Sequence, residues 1–172
     1  MFKKQLIGDQ VDSAPYMVRW NFALPLGYSL KLHLILRTDD NRCAHDHPWN
    51  FLRVILWGGY YEQCDPHQPP VLRKPWRPWA PWRLYWCGRK FRHRITSLPH
   101  GSSCTLVLAG PREREWGYFT RDGWVDWRSF ASRMVQRHVL WCDDGRKLNE
   151  DDERADMGVV IREMRKRPWN LE

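Results

Sequence analysis

"AHDHPWNFLRVILWGGYYE", residues 44–62, is the stretch on which the fold turns. His45 and His47 stand one residue apart ahead of Pro48, and a run of strand-forming residues follows, ending at Gly58-Gly59 and the single acid Glu62. On a strand, side chains at i and i+2 share a face, so two imidazoles at this spacing converge on one point. The glycine pair marks a bend, a bulge or a tight turn within the strand pattern.

Outward from this stretch the pattern stays β. Ser29 to Thr38 alternates Leu30, Leu32 and Leu34 against Lys31, His33 and Ile35, the period of a strand with one buried face. Trp82–Leu98, Cys104–Gly110 and Trp116–Trp127 continue the series, and Arg121-Asp122-Gly123 is a hairpin turn, because Asp-Gly tolerates positive φ. Many short strands punctuated by turns predict an all-β sandwich or barrel. Ser129–Leu140 is read as a short helix. From Asn149 the pattern becomes helical, with acids in the first turn, bases in the last, and Met157, Val160, Ile161 and Met164 on one stripe. The expectation is therefore a β-barrel domain over residues 1–140 and a helical tail over 141–172 that packs on it.

A chain of 172 residues supports one domain with a real core. No run approaches a membrane span and no signal-like apolar core opens the chain, so a soluble, cytoplasmic protein without a membrane partner is expected. The five cysteines match neither a zinc ribbon nor a redox pair and are expected to be thiols in a reducing compartment. A net charge of +8 points to affinity for something anionic: nucleic acid, a phosphorylated or carboxylated small molecule, or a membrane surface. Residues 74–86, "KPWRPWAPWRLYW", hold several of the twelve tryptophans in a proline-rich loop that serves either as a stacking surface or as a plug at one end of the core.

His93, in the strand-like "FRHRI", is the candidate third ligand beside His45 and His47. His33 and His100 are alternates, and His67 and His138 are read as surface residues. Arg53 lies in an otherwise apolar strand. Its guanidinium needs a carboxylate, Glu62 or Glu115, or else it clamps an acidic substrate.

"HDHPWNFLRVILWGGYYE", followed by "KFRHRI" and "TLVLAG", resembles the cupin superfamily, and more narrowly small cupin-like proteins of bacteria and phages with an H-x-H-P-W motif. The resemblance covers roughly Ser29–Trp127 and implies a double-stranded β-helix barrel, or jelly roll, with a metal inside one end. Two departures stand out. Phe51 and Leu52 occupy the place of the first motif's acid, and Ser97 that of the second motif's asparagine. That leaves His45, His47 and His93 as a three-histidine site, with Glu62 as a replacement carboxylate. Such a set suits Fe(II), Zn, Mn or Ni, with iron favoured for oxygen chemistry.

The resulting expectation is a metal-dependent oxidoreductase, an Fe(II) oxygenase, hydroxylase or dioxygenase. Arg53 and Glu62 would take part in catalysis on an anionic or nucleotide-like substrate. Two alternatives are kept: a metal-independent isomerase or epimerase of nucleotide sugars, and a non-catalytic basic, aromatic-rich module for nucleic acid or a small ligand. The resemblance also implies a homodimer.

Overall fold

The computed structural model describes residues 2–7, 15–39, 43–80, 83–135 and 140–148. The all-β expectation holds: eleven strands and a single α-helix make up the regular structure of the described residues, apart from one 3₁₀ turn at Pro25–Gly27. The strands are β1 (Phe2–Ile7), β2 (Met17–Ala23), β3 (Ser29–Ile35), β4 (Phe51–Trp57), β5 (Tyr60–Gln63), β6 (Val71–Arg73), β7 (Leu84–Cys87), β8 (Arg94–Ser97), β9 (Ser103–Ala109), β10 (Gly117–Thr120) and β11 (Gly123–Asp126). The helix α1 spans Trp127–Val135, and Asp126 caps it by accepting from the backbone N–H groups of Arg128 and Ser129. This is the short helix expected from Ser129, begun two residues earlier. The tail helix expected from Asn149 lies outside the described residues.

One sheet has six antiparallel strands in the order β1-β2-β3-β9-β4-β7. Opposite it, β6-β5-β8 and the β10-β11 hairpin are stitched together by the segment around His45, which forms bridges to His93 on one side and to Tyr118 on the other. The chain crosses between sheets at Gly58-Gly59, both at positive φ. A side chain at Gly58 would put its Cβ 2.3 Å from the carbonyl oxygen of Ser102, so only glycine fits the crossing. The strands β1, β2 and β6 were not foreseen from the sequence.

The period-2 alternation of β3 is real, yet its faces divide in an unexpected way. Lys31 and His33 point into the space between the sheets, whereas Leu30, Leu32 and Leu34 point outward and are only partly covered. Register carries this across the whole sheet. Trp86, Leu52, Leu108, Leu30, Phe22 and Phe2 form one continuous outer row, of which Trp86 is 70% and Phe2 58% exposed. The interior is therefore a lined cavity rather than a solid oily core. Apolar packing is divided among three smaller clusters: one around Tyr118, Trp127 and Phe130, one around Tyr16, Ile55 and Tyr60, and one around Phe51, Cys87 and Val107.

The cysteine expectation is corrected in part. Cys43 and Cys142 form a disulfide across 99 residues of sequence, while Cys64, Cys87 and Cys104 are thiols. The spacing gave no hint of this pairing, because the two residues meet only after β10 has been laid beside the His45 segment. The bond also removes the support that thiols lent to a reducing compartment. Among the described residues no helix is long and apolar enough to cross a membrane.

Candidate metal centre

His45 and His93 face each other across an antiparallel bridge, exchanging both backbone hydrogen bonds at 3.0 Å. Directly opposed residues project to the same side of a sheet, so the two rings stand together, with centroids 4.8 Å apart. His47 follows two residues after His45 and joins them. The three rings offer nitrogens that all lie within 4.8 Å of one another, and Nε2 of His47 is 2.8 Å from Nε2 of His93. These are the three histidines expected from the sequence.

Behind them lies a charged layer. Glu62, fully buried on β5, accepts from Nδ1 of His93 at 2.6 Å, from both terminal nitrogens of Arg53 at 2.5 Å and from Nε of Arg73 at 2.7 Å. Burial by itself would raise the Glu62 carboxyl. The hydrogen bond to His93 and the charge of Arg53 outweigh it and hold the group well below the usual carboxylate range. A proton on Nδ1 of His93, donated to this carboxylate, leaves the Nε2 lone pair facing the cavity. Burial likewise works against the charge of Arg53, but Tyr60 and Glu62 more than restore it, and the guanidinium stays protonated. Glu62 thus stands behind His93, with its oxygens engaged by Arg53, Arg73 and His93, and Arg53 meets the first of its two expected carboxylates.

Asp46, between the two histidines, is buried and its hydrogen-bond partners include no histidine ring. Its carboxylate accepts from the backbone N–H of Gly117 at 2.8 Å, from Nη1 of Arg114 at 2.8 Å and from Nε1 of Trp124 at 2.9 Å. It therefore pins the histidine segment to the β10-β11 hairpin, while the disulfide three residues earlier ties the segment to Cys142, which bridges to Thr120 of β10. Arg114 is committed to this anchor. Arg112 pairs with Glu115, and Arg89 with Glu113.

The rings open onto a cavity of about 230 Å³ between the sheets, lined on the far wall by Arg19, Lys31, His33 and Thr105. Burial, then the charges of neighbouring His93, His45, Arg53 and Arg19, depress His47 well below the ordinary imidazole value, so it is neutral and able to act as a ligand. His33 is depressed too, by burial and then by Arg19 and Lys31, and it accepts a hydrogen bond from Nε of Arg19 at 3.1 Å. His33 thus lines the pocket but belongs to its cationic wall. His100 sits in a turn away from the cavity, His67 is exposed, and His138 lies outside the described residues.

Among the described tryptophans of residues 74–86, Trp76, Trp79 and Trp86 neither plug the core nor line this cavity. Trp76, Trp79 and Trp86 are 36%, 73% and 70% exposed, and the cavity's own tryptophans are Trp49, Trp116 and Trp127. Sequence reading missed Arg19 and Thr105 altogether. No local pattern marks them, because their place depends on the register of β2, β3 and β9.

No protein-family profile matches the chain, and no curated protein matches it in sequence. Solved structures similar to it include several cupin and RmlC-like cupin proteins. A cupin 2 conserved barrel domain protein from Rhodopseudomonas palustris is 13% identical, with a TM-score of 0.49 over 78% of this chain and 84% of that one. A protein described as a putative mannose-6-phosphate isomerase from Ralstonia eutropha JMP134 is 14% identical, with a TM-score of 0.47 over 57% and 87%. Hydroxypropylphosphonic acid epoxidase from S. wedmorenis is 15% identical, with a TM-score of 0.45 over 62% of this chain and 55% of that one. With every TM-score below 0.5 and identities of 13–15%, the likeness carries neither fold nor function to this chain.

Proposed function

We propose that this cupin-like barrel is a metal-dependent enzyme, with His45, His47 and His93 holding one divalent transition ion at the inner end of the cavity and Fe(II) the favoured metal. The observation that carries the proposal is the Glu62–His93 pair. A fully buried carboxylate fixes one imidazole so that its second nitrogen joins two others facing a cavity. The donor set fits the ion. Nitrogens sharing a metal at about 2.1 Å and a right angle lie about 3 Å apart, close to the 2.8 Å between His47 and His93. Three neutral nitrogen ligands leave positions for substrate and dioxygen, and iron held there would supply oxygen activation for an oxygenase or hydroxylase reaction. Around it the chain does the rest. Glu62 keeps the His93 proton on Nδ1, Arg53 and Arg73 balance Glu62, and the aromatic walls of Trp49 and Phe51 beside His47 exclude water. In this scheme Glu62 and Arg53 act through His93 and touch neither metal nor substrate. The substrate is a small anionic molecule, because the cavity holds about 230 Å³ and four of its lining residues, Arg19, Lys31, Arg53 and Arg112, are basic.

Metal analysis of untagged protein should find close to one transition ion per chain, and His93→Ala should lose it while His100→Ala keeps it. Nitric oxide added anaerobically to the iron-loaded protein should give a high-spin iron–nitrosyl EPR signal. An untagged preparation that binds no Fe(II), Zn, Mn or Ni would remove the proposal.

The same proposal includes a second copy of the chain as partner. The outer row from Trp86 to Phe2 leaves exposed three aromatic side chains worth roughly 300 Å², with the row's own Leu108 and neighbouring Leu84 also exposed. Such a face lies within the roughly 300–600 Å² of the largest apolar patch on a monomer and supplies under half of the about 800 Å² each subunit gives to a standard interface, so the second copy rests on the continuity of the row across all six strands rather than on its area.

A further inference from the structure

Thr105 is the oddity of the cavity wall. It sits at the centre of the six-stranded sheet, 2% exposed, and among the described residues its hydroxyl has no hydrogen-bond partner. A buried hydroxyl left unmet costs stability that valine, of nearly the same shape, would not. Its neighbours give it a use. In one inner row Thr105 stands opposite His33, which stands opposite Arg19 and accepts from it. In the next row Lys31 and Arg53 both stand opposite Val107, two residues along from Thr105. Lys31 is itself buried, donating to Oδ1 of Asn21 at 2.8 Å with its ammonium 4.7 Å from the Trp49 ring. Keeping a lysine charge inside a barrel is costly, and the interior gains a strong positive field from it.

We propose that Arg19, Lys31 and Thr105 form a subsite for the oxyanion head group of the substrate, a carboxylate or a phosphate, across the cavity from the three histidines. The proposal rests on the reading that the cavity takes an anionic substrate, and it replaces Arg53 as the clamp. Both terminal nitrogens of Arg53 are given to Glu62 behind the wall. Arg19 and Lys31 supply charge from β2 and β3, and the Thr105 hydroxyl donates to the bound oxygen between them. The head group then holds the rest of the molecule toward His45, His47 and His93.

The test is calorimetric titration of the full chain, stripped with EDTA, against inorganic phosphate and against acetate and malonate, so that the two sources of the oxyanion are told apart. One of the two classes should bind. Arg19→Gln, Lys31→Met and Thr105→Val should each weaken it about tenfold or more, the usual scale for a lost hydrogen bond to a charged group. Thr105→Val should keep or raise the urea midpoint, which a structural hydroxyl would not allow. His45→Ala should leave anion affinity within a factor of about three while weakening metal binding, so failure of the metal centre and failure of this subsite are distinguishable. Absence of binding for every anion at millimolar concentration would overturn the subsite. So would a Thr105→Val protein that binds like the parent or loses stability.

Discussion

Replacing Glu62 by glutamine tests whether the buried carboxylate is what holds the site together. The change preserves shape but removes a charge that receives hydrogen bonds from Arg53, Arg73 and His93 at 2.5–2.7 Å in a fully buried position. Arg53, 3% exposed, would be left as a buried cation deprived of the carboxylate it pairs with, and the glutamine NH₂ would turn a donor toward a donor. Breaking a buried pair in this way costs about 3–5 kcal/mol. With a urea dependence of roughly 2 kcal/mol/M for a domain of this size, the unfolding midpoint should fall by about 2 M. The exposed Arg89–Glu113 pair supplies the control, and Glu113→Gln should cost under about 1 kcal/mol. If Glu62 also fixes the His93 tautomer, chelator competition should show metal affinity down about 10- to 100-fold in Glu62→Gln. A variant that unfolds at the parent's midpoint and holds metal as tightly would refute both the electrostatic account of the layer and the role given to Glu62.

Three further outcomes are expected. Thiol titration of the unfolded, unreduced protein should count three thiols, Cys64, Cys87 and Cys104, and replacing Cys43 and Cys142 with serine should cost about 4–5 kcal/mol, the loop-closure estimate for roughly 100 residues. Stability should fall with acid below about pH 6.5, because His33 and His47 have folded values below the unfolded one. Between the two values the unfolded chain binds the extra protons, so the stabilisation is present above pH 6.5 and is lost as pH falls toward the folded value. A His33→Gln protein should show a shallower slope in urea titrations across that window. Light scattering should report a dimer, and Leu108→Glu on the outer row should convert it to a monomer; a monomeric parent would rule out the second copy.

The strands that carry the site were legible because their signals are local. Alternation identified β3, the glycine pair divided β4 from β5, and Asp-Gly closed the β10-β11 hairpin. The strands β1 and β2 escaped notice, although β2 supplies Arg19. Glu62 was suspected as a metal ligand because it is the single acid after the bend, and spacing alone could not show that it would meet His93 from behind.

By itself the sequence determined that His45 and His47 share a face, since neighbouring-residue stereochemistry gives a strand its period of two. It also determined that β-segments dominate and that Arg53, in an otherwise apolar strand, would need a carboxylate partner. The tertiary structure alone decided that the leucine face of β3 looks outward, that Cys43 meets Cys142, and that Arg19, His33 and Thr105 fall in one row. Those outcomes depend on register between strands far apart in the chain. A slip of one residue would turn each of these side chains to the opposite face, and no local pattern in a single strand encodes its partner's alignment.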